Sequence, residues 1–290
     1  MGEASPGSRL RRLVATSAPV LAPGAANALG ARIIADCGFD VVYATGAGIS
    51  NWLLGAPDLG LVTMTEMAGQ VARICEAVDL PVIADADTGY GNPLNVTRTV
   101  RMFERAGVAA LQLEDQVEPK RCGHFDGKQV IPKADMVAKL KAAVDARRDA
   151  SLVIIARTDA RATEGLDAAI ERAHAYRDAG ADWCFIEAPQ DEAELARVGR
   201  EGPGPLVANM VENGKTPILP RARLGQLGFS LILYANLAQR AAMQAMGEAL
   251  AHLITQGVSD GLEGRLVTMD ERNRLTGMSY WRGLEQKFRS

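Results

Sequence analysis

The stretch EDQVEPKRCGHFDGK, at residues 114–128, brings acids, bases, a thiol and glycines together in a few positions. A structural cysteine normally has apolar neighbours, whereas Cys122 stands between two basic residues and a Gly-His pair. Neighbouring cations favour the thiolate form of a cysteine. The pattern predicts an exposed, electropositive and reactive thiol. The alternative is an inert, small apolar side chain.

The residues around this cysteine predict a movable catalytic segment. Lys120, Arg121 and His124 supply the positive charge. Gly123 and Gly127 give the backbone the freedom that a loop needs to open and close over a site. We therefore assign Lys120 and His124 to the catalytic set, and Arg121 and Gly123 to the substrate-binding set.

A group of carboxylates precedes this loop. Asp85 and Asp87, in the run ADADTGYG, are two residues apart at the end of a predicted strand, and Glu114 ends the next one. In a regular strand the two aspartates would share a face. Clustered acids repel one another unless a cation neutralises them, and hard oxygen ligands favour Mg²⁺ or Mn²⁺. The alternative is that these acids cap helix N-termini, as Asp87 before TGYGN could.

Later strands add residues suited to binding a carboxylate. Arg157, in IIARTD, emerges from an apolar strand, and its guanidinium could hold a carboxylate or a developing enolate through two hydrogen bonds. A buried structural ion pair is the alternative. Glu187 after WCFI and Asn209 after LVA occupy the same kind of position at later strand ends.

The elements that must position these residues alternate between short β-rich runs and amphipathic helical segments. Eight runs predict strands, at residues 20–23, 41–46, 81–87, 110–115, 152–159, 183–188, 206–211 and 231–236. This alternation predicts an α/β fold, a (β/α)8 TIM-type barrel, with a doubly wound open sheet as the alternative. The barrel is favoured because polar residues cluster at the strand C-termini, which meet at one mouth in a barrel.

Composition narrows the classes of protein. With 290 residues, 48% of them hydrophobic, the chain can bury a large core, and we predict one barrel domain over residues 1–290 with a helical extension at 258–290. We expect residues 1–10 to fray. A net charge of −3 argues against nucleic acid as a partner, and no run approaches the roughly 20 apolar residues of a membrane span. Four separated cysteines predict neither zinc nor disulfides, so we expect a cytoplasmic protein.

Five runs in order carry a resemblance to a known family: GAPDLG, ADADTGYGN, EDQ with PKRCGH, IIARTDA and NMVENGKTP. Together they resemble the isocitrate lyase and phosphoenolpyruvate mutase superfamily over roughly residues 10–240. The similarity is to its short-chain branch, which holds 2-methylisocitrate lyases, 2,3-dimethylmalate lyases, oxaloacetate hydrolases and carboxyphosphonoenolpyruvate phosphonomutases.

The resemblance implies a Mg²⁺-dependent barrel that acts on small carboxylates through a pyruvate enolate. It also implies a gating loop and a homotetramer that exchanges C-terminal helices between subunits. By matching motif, Asp85 would contact the metal directly, and Asp87 and Glu114 would act largely through water on the metal. Residues Thr45, Gly46 and Ala47 match the loop that binds the pyruvate portion, and Asp58 matches an acid beside the metal. Arg157, Glu187 and Asn209 match substrate-side residues, and Cys122 matches the general acid of the lyases.

Two positions depart from the family pattern. Thr45 stands where the family usually has Ser, and Tyr234-Ala235-Asn236 replaces a Tyr-Pro pattern near the second half of the substrate. We predict a carbon–carbon lyase that cleaves a 2-hydroxy di- or tricarboxylate to pyruvate and a second carboxylate, with Tyr43 or a metal-bound hydroxide as the base. The alternatives are phosphonomutase chemistry, hydrolysis or decarboxylation of oxaloacetate, and a metabolite-binding barrel without turnover.

Overall fold

The computed structural model describes residues 4–16, 18–120 and 127–289, so the predictions for Arg121, Cys122, Gly123 and His124 concern residues outside the described ranges. Eight parallel strands close into a barrel in sequence order, which confirms the predicted (β/α)8 fold. The strands are β1 Val20–Ala25, β2 Val42–Ala44, β3 Val82–Asp85, β4 Ala110–Glu114, β5 Val153–Thr158, β6 Trp183–Ile186, β7 Leu206–Asn209 and β8 Phe229–Tyr234.

Helices surround this barrel and extend beyond it. They are α1 Pro6–Val14, α2 Ala28–Asp36, α3 Gly46–Leu54, α4 Met64–Ala77, α5 Pro93–Arg105, α6 Lys133–Ala146, α7 Leu166–Asp178, α8 Glu192–Glu201, α9 Arg221–Gln226, α10 Leu237–Gln256, α11 Met269–Leu275 and α12 Met278–Arg289. A single 3₁₀ turn, Ala160–Ala162, follows β5. Side chains that cap the first turns, such as Asn27 before α2 and Thr63 before α4, fix where several of these helices begin.

The first helix corrects the expectation that the N-terminus frays. Ser5 caps α1, and Leu10 and Val14, one turn apart, are buried among the apolar side chains of the barrel interior. Gly7 packs so closely on Ser151 that a Cβ atom there would lie 2.4 Å from the Ser151 carbonyl oxygen. The polar composition of this segment concealed a short amphipathic helix that contacts the barrel.

The strand register brings the chemistry-bearing residues to one end of the barrel. Asp85 on β3 lies opposite Gln112 on β4, and Glu114, two residues further along β4, lies opposite Arg157 on β5. β3 ends at Asp85, β4 ends at Glu114, and β5 ends one residue after Arg157. The C-terminal mouth of the barrel therefore collects acids and a guanidinium from three neighbouring strands.

The C-terminal helices differ from the others in burial. Along α10 only Gln239 is buried, and α11 and α12 have no buried residue. Arg274 of α11 makes a bidentate ion pair with Asp36 of α2, which holds this part of the chain against the barrel. Within the described ranges, every helix is too short or too polar to cross a bilayer.

Candidate active site

A cavity of about 40 Å³ opens at the C-terminal mouth of the barrel. Its walls contain ten of the predicted site residues: Tyr43, Thr45, Ala47, Asp58, Asp85, Glu114, Lys120, Arg157, Glu187 and Asn209. The two other predicted residues of the described chain, Gly46 and Asp87, lie next to Asp85. Residues scattered over more than 150 positions of sequence thus share one small polar chamber.

Asp85 and Asp87 come together through a turn and not through strand alternation. β3 ends at Asp85, and Asp87 has a φ of 48°, in the left-handed region that aspartate tolerates better than most residues. The backbone N–H of Asp87 donates to Asp85 Oδ1 over 3.1 Å. A Cβ atom on Gly46 would lie 2.8 Å from Asp85 Oδ2 and 3.4 Å from Asp87 Oδ1. A glycine at position 46 therefore leaves room for both carboxylates, of which Asp85 lines the chamber.

Lys120 lies between two of the acids. Its Nζ is 2.5 Å from Asp58 Oδ1 and 2.6 Å from Asp87 Oδ1, and the lysine side chain is almost fully buried. Burial by itself lowers the pKa of Lys120, but the charges of the surrounding carboxylates, that of Asp87 first, outweigh burial and raise this pKa well above its ordinary value. Burial raises the pKa of Asp87 to about 6, although the charge of Lys120 opposes that rise. The rise in the pKa of Lys120 follows from the carboxylates that surround it.

Arg157 faces three carboxylates at once. Its Nε and Nη2 atoms donate to Asp159 over 2.9 and 3.1 Å, and Glu114 and Glu187 lie 3.4 and 3.5 Å from the same nitrogens. The guanidinium carbon is 5.2 Å from the centre of the Phe185 ring, within the range of a cation–π contact. The buried ion pair that was the alternative for Arg157 is therefore present, and its role in binding substrate stays a prediction.

The chemistry of the chamber fits a divalent cation bound by oxygen. Among the described residues, no three Asp, Glu, His or Cys side chains stand at metal-ligand spacing, and Lys120 Nζ pairs with both Asp58 and Asp87. Glu114 Oε1 is nonetheless buried without a hydrogen-bond partner in the described chain. A buried carboxylate oxygen of this kind is costly unless a cation or donor reaches it. Asp85, Asp87 and Glu114 therefore stay the predicted ligands.

The segment after β2 supplies hydrogen-bond donors. Thr45 caps α3, and its Oγ1 accepts a hydrogen bond from the Gly48 N–H over 3.2 Å. The N–H groups of Gly46 and Ala47 belong to the first turn of this helix, where backbone donors and the helix dipole favour a bound anion. This arrangement suits the predicted role of residues 45–47 in binding the carboxylate of a pyruvate portion.

Tyr43 connects to the acid cluster through a residue that sequence reasoning missed. The Tyr43 hydroxyl donates to Gln112 Oε1 over 3.2 Å, and Gln112 Nε2 donates to Asp85 Oδ1 over 3.5 Å. Burial, and then the charge of Asp85, raise the pKa of Tyr43 well above its ordinary value. The neutral phenol therefore prevails at neutral pH, which favours Tyr43 as a hydrogen-bond donor over Tyr43 as a general base. A polar residue inside the apolar run ALQLE was the available signal for Gln112.

Apolar side chains also line the chamber, and of these only Ala235 was singled out from the sequence. Phe185, Val211, Leu233 and Ala235 come from the ends of three strands and complete the lining together with Asn236. Asn236 Oδ1 accepts a weak hydrogen bond from Thr45 Oγ1 at 3.5 Å. The departure from the family pattern at residues 234–236 thus lies directly in the chamber wall.

The described chain stops at Lys120, in the chamber lining, and resumes at Gly127. The two limbs that flank residues 121–126 pair through the bonds Val117 N–H to Gln129 C=O at 2.9 Å and Ile131 N–H to Asp115 C=O at 2.8 Å. Lys120 ends one limb inside the chamber. Cys122, His124, Arg121 and Gly123 follow it outside the described residues, so their predicted roles stay predictions.

Known proteins resemble this chain along most of its length. The family described as Phosphoenolpyruvate phosphomutase matches residues 10–254. The 2,3-dimethylmalate lyase of Eubacterium barkeri is 47% identical over 281 residues, which cover 97% of each chain. The 2-methylisocitrate lyase of Aeropyrum pernix is 43% identical over 272 residues, 94% of this chain and 87% of the relative.

Solved structures show the same fold. A crystal structure of 2,3-dimethylmalate lyase superposes with a TM-score of 0.93 and 37% identity, covering 99% of this chain and 96% of the other. A phosphonopyruvate hydrolase in complex with oxalate and Mg²⁺ superposes with a TM-score of 0.89 and 28% identity, covering 99% of this chain and all of the other. The similarity therefore extends over the whole barrel and its C-terminal helices.

Tyr43→Phe tests the state of the buried phenol. Because the neutral phenol donates one hydrogen bond, worth about 1 kcal/mol, we expect kcat to fall only about fivefold. Loss of a general base would instead lower kcat by about 10²- to 10⁴-fold. Steady-state turnover of the variant distinguishes the two roles, with Tyr280→Phe, at an exposed position of α12, as the matched control. A drop of a hundredfold or more would contradict the donor role.

Proposed function

The chain belongs to the phosphoenolpyruvate phosphomutase family, and we propose that it is a carbon–carbon lyase that releases pyruvate from a 2-hydroxy dicarboxylate or tricarboxylate. The observation that carries the proposal is its similarity, along nearly the whole of both chains, to a 2,3-dimethylmalate lyase. The substrates we favour are of the 2,3-dimethylmalate and 2-methylisocitrate type.

The proposed reaction divides the substrate between two parts of the chamber. The pyruvate portion binds with its carboxylate at the N–H groups of Gly46 and Ala47 and near the free face of Arg157. A base in the chamber accepts the proton of the C2 hydroxyl, the electrons of that O–H bond form the pyruvate carbonyl, and the C2–C3 bond breaks. The electron pair of that bond stays on C3 as the enediolate form of the departing carboxylate. A proton from Cys122 then completes the second product.

Charge stabilisation is the main task of the remaining residues. Arg157 and the phenol of Tyr43 offer donors to negative charge that develops on oxygen, in a buried site where such contacts are strong. We propose that Asp85 holds Mg²⁺, with Mn²⁺ as a substitute, and that Asp87 and Glu114 complete its surroundings. The bound ion would supply Lewis-acid stabilisation of oxygen charge. A solved relative in complex with Mg²⁺ and oxalate supports this assignment.

The apolar side chains of the chamber give a physical reason to favour alkyl-substituted substrates. Phe185, Val211 and Leu233 line the chamber together with its charged residues. A methyl group packed against such side chains gains about 0.8 kcal/mol relative to water. Ala235, where many relatives have proline, leaves more room beside Asn236 in the chamber lining.

Phosphonomutase chemistry is the alternative, because the name of the matching family denotes a mutase. A mutase would move a phosphorus group between oxygen and carbon of the same enolate, and no carbanion would need a proton from Cys122. The lyase reaction therefore needs the Cys122 thiol as a proton donor, and the mutase reaction does not.

We further propose that the protein is cytoplasmic and forms a homotetramer. Cys37, Cys75 and Cys184 are free thiols, which suits a reducing compartment. Large apolar side chains are exposed along the C-terminal helices: Leu237, Met243, Met246, Leu250, Leu253 and Ile254 on α10, and Tyr280, Trp281 and Phe288 on α12. Apolar surface of this extent is typical of a protein interface.

Cys122→Ser separates the lyase from the mutase. The natural chain should release pyruvate from 2,3-dimethylmalate or 2-methylisocitrate. The serine hydroxyl has a far higher pKa than a thiol, so the variant should lose about 10²- to 10⁴-fold in kcat. Its dissociation constant for oxalate should change less than threefold, because the residues that bind the pyruvate portion are intact. Coupled pyruvate detection and calorimetry measure the two quantities.

The control is Cys37→Ser, which makes the same substitution at an exposed cysteine. Near-normal turnover by Cys122→Ser would overturn the proton-donor role and favour the mutase. Loss of oxalate binding together with turnover would make Cys122 a binding residue.

Removal of metal should abolish activity. Excess chelator should reduce pyruvate release to background, and Mg²⁺ or Mn²⁺ should restore it, because buried carboxylates need a cation in order to coexist. Asp85→Ala should neither regain activity nor bind Mg²⁺ in calorimetry. Asp167→Ala, at a carboxylate that is 88% exposed on α7, is the matched control and should respond like the natural chain. Full activity in chelator would refute the metal assignment.

Self-association should depend on the exposed face of α10. Sedimentation velocity should give four times the monomer mass. Ile254→Arg should reduce that mass, because Ile254 is 86% exposed on α10 and a charge there would be buried in the interface. Leu94→Arg, at an 81% exposed leucine on α5, is the control and should remain tetrameric. A monomeric natural chain would refute the proposal.

A further inference from the structure

A buried ion pair stands beside the chamber and has no part in the reaction described above. Lys128 Nζ lies 2.6 Å from Asp159 Oδ1, and the side chains of both residues are at most 1% exposed. Removing two opposite charges from water is costly, and breaking such a pair leaves an uncompensated buried charge. The contacts of Lys128 point to a specific role.

Asp159 connects this lysine to Arg157. The same carboxylate that receives Lys128 accepts the Nε hydrogen of Arg157 at Oδ2 over 2.9 Å and an Nη2 hydrogen at Oδ1 over 3.1 Å. Asp159 Oδ1 is therefore shared between two cations. The orientation of the guanidinium depends on a carboxylate whose own position is set in part by Lys128.

The backbone of Asp159 is held in place from a different side. Its N–H donates to Asp115 Oδ1 over 2.9 Å. The other oxygen of Asp115 accepts the hydroxyls of Thr158 and Tyr176, each over 2.7 Å. Asp159 can thus respond to the loss of Lys128 mainly by turning its carboxylate about a fixed main chain, and the partner that must follow is Arg157.

The charges of this cluster favour the same conclusion. Burial opposes the ionised form of Asp159, but the charges of Arg157 and then Lys128 overcome it and lower the pKa of Asp159 to about 2. With Lys128 present, part of the negative charge of Asp159 is neutralised by the lysine. Arg157 therefore keeps more of its attraction for a second anion. Without Lys128, Asp159 would be neutralised by Arg157 alone and would hold the guanidinium more tightly.

We propose that Lys128 is a positioning residue that acts through Asp159, holding the Arg157 guanidinium in the orientation that binds the carboxylate of the substrate. This inference rests on the proposed function to the extent that Arg157 contacts the pyruvate portion. Lys128 is not among the residues that line the chamber, so its effect should fall on binding before chemistry.

The test is a double-mutant cycle on ligand binding with oxalate as the probe, in the presence of Mg²⁺. Lys128→Met removes the charge and keeps the length of the side chain, and Arg157→Lys removes the bidentate guanidinium. We expect each single variant to weaken oxalate binding about tenfold in calorimetry. The double variant should be no more than about twofold weaker than the weaker single variant, because both changes disable the same contact.

A general structural role would give a different result. Arg147→Met removes another partly buried cation, 2.7 Å from Asp182, at the opposite end of β5 from Arg157. Both this control and Lys128→Met should lower Tm, but only Lys128→Met should weaken oxalate binding. In turnover assays Lys128→Met should raise KM more than it lowers kcat. If Lys128→Met fails to fold, Lys128→Gln, which keeps a hydrogen-bond donor, takes its place in the cycle.

Two results would overturn the inference: oxalate affinity within twofold of the natural chain in the Lys128 variant, or effects of Lys128 and Arg157 that multiply in the double variant. The binding cycle needs no turnover. If none of the 2-hydroxy acids is cleaved while the cycle shows coupling, the lyase proposal fails and the role of Lys128 stands. If a 2-hydroxy acid is cleaved but the cycle shows no coupling, the lyase proposal stands and the role of Lys128 fails.

Discussion

The mouth of the barrel brings several buried carboxylates into a small volume. Asp58, Asp85, Asp87 and Glu114 line or adjoin one chamber, and Glu187 lies across from them. In such a place each negative charge raises the free energy of the next, and burial removes the water that would screen them. The other polar residues of the site reduce this repulsion. Cations lie between the acids, and hydrogen-bond donors lie around them.

Two basic side chains meet the constraint in different ways. Lys120 enters from the segment that continues to Cys122 and pairs with Asp58 and Asp87, so its flexible stem places a compact charge where the acids are closest. Arg157 is fixed on β5, and its planar guanidinium contacts carboxylates from both neighbouring strands. The lysine lies on a loop and the arginine on a strand of the sheet.

Behind the chamber, a second layer of polar residues holds the first. Gln112 joins Tyr43 to Asp85, and Asp115 fixes the backbone of Asp159. These residues have little exposure to solvent, and their hydrogen bonds replace water that the barrel excludes. A site of this kind depends on partners that never touch substrate, because a catalytic group that is buried must be oriented by its neighbours.

The sequence by itself determined the barrel, the mouth at which chemistry occurs and most of the residues in its wall. Alternating strand and helix patterns with polar residues at the strand ends carry that information, since parallel strands in a closed barrel must end together. The tertiary structure alone decided three things. The left-handed turn at Asp87 brought two acids together that strand alternation was expected to align. The burial of Tyr43 beside Asp85 set its protonation, and the contact of Lys128 with Asp159 joined residues 31 positions apart. Each of these depends on distances between segments remote in sequence, and periodicity within a segment holds no information about such distances.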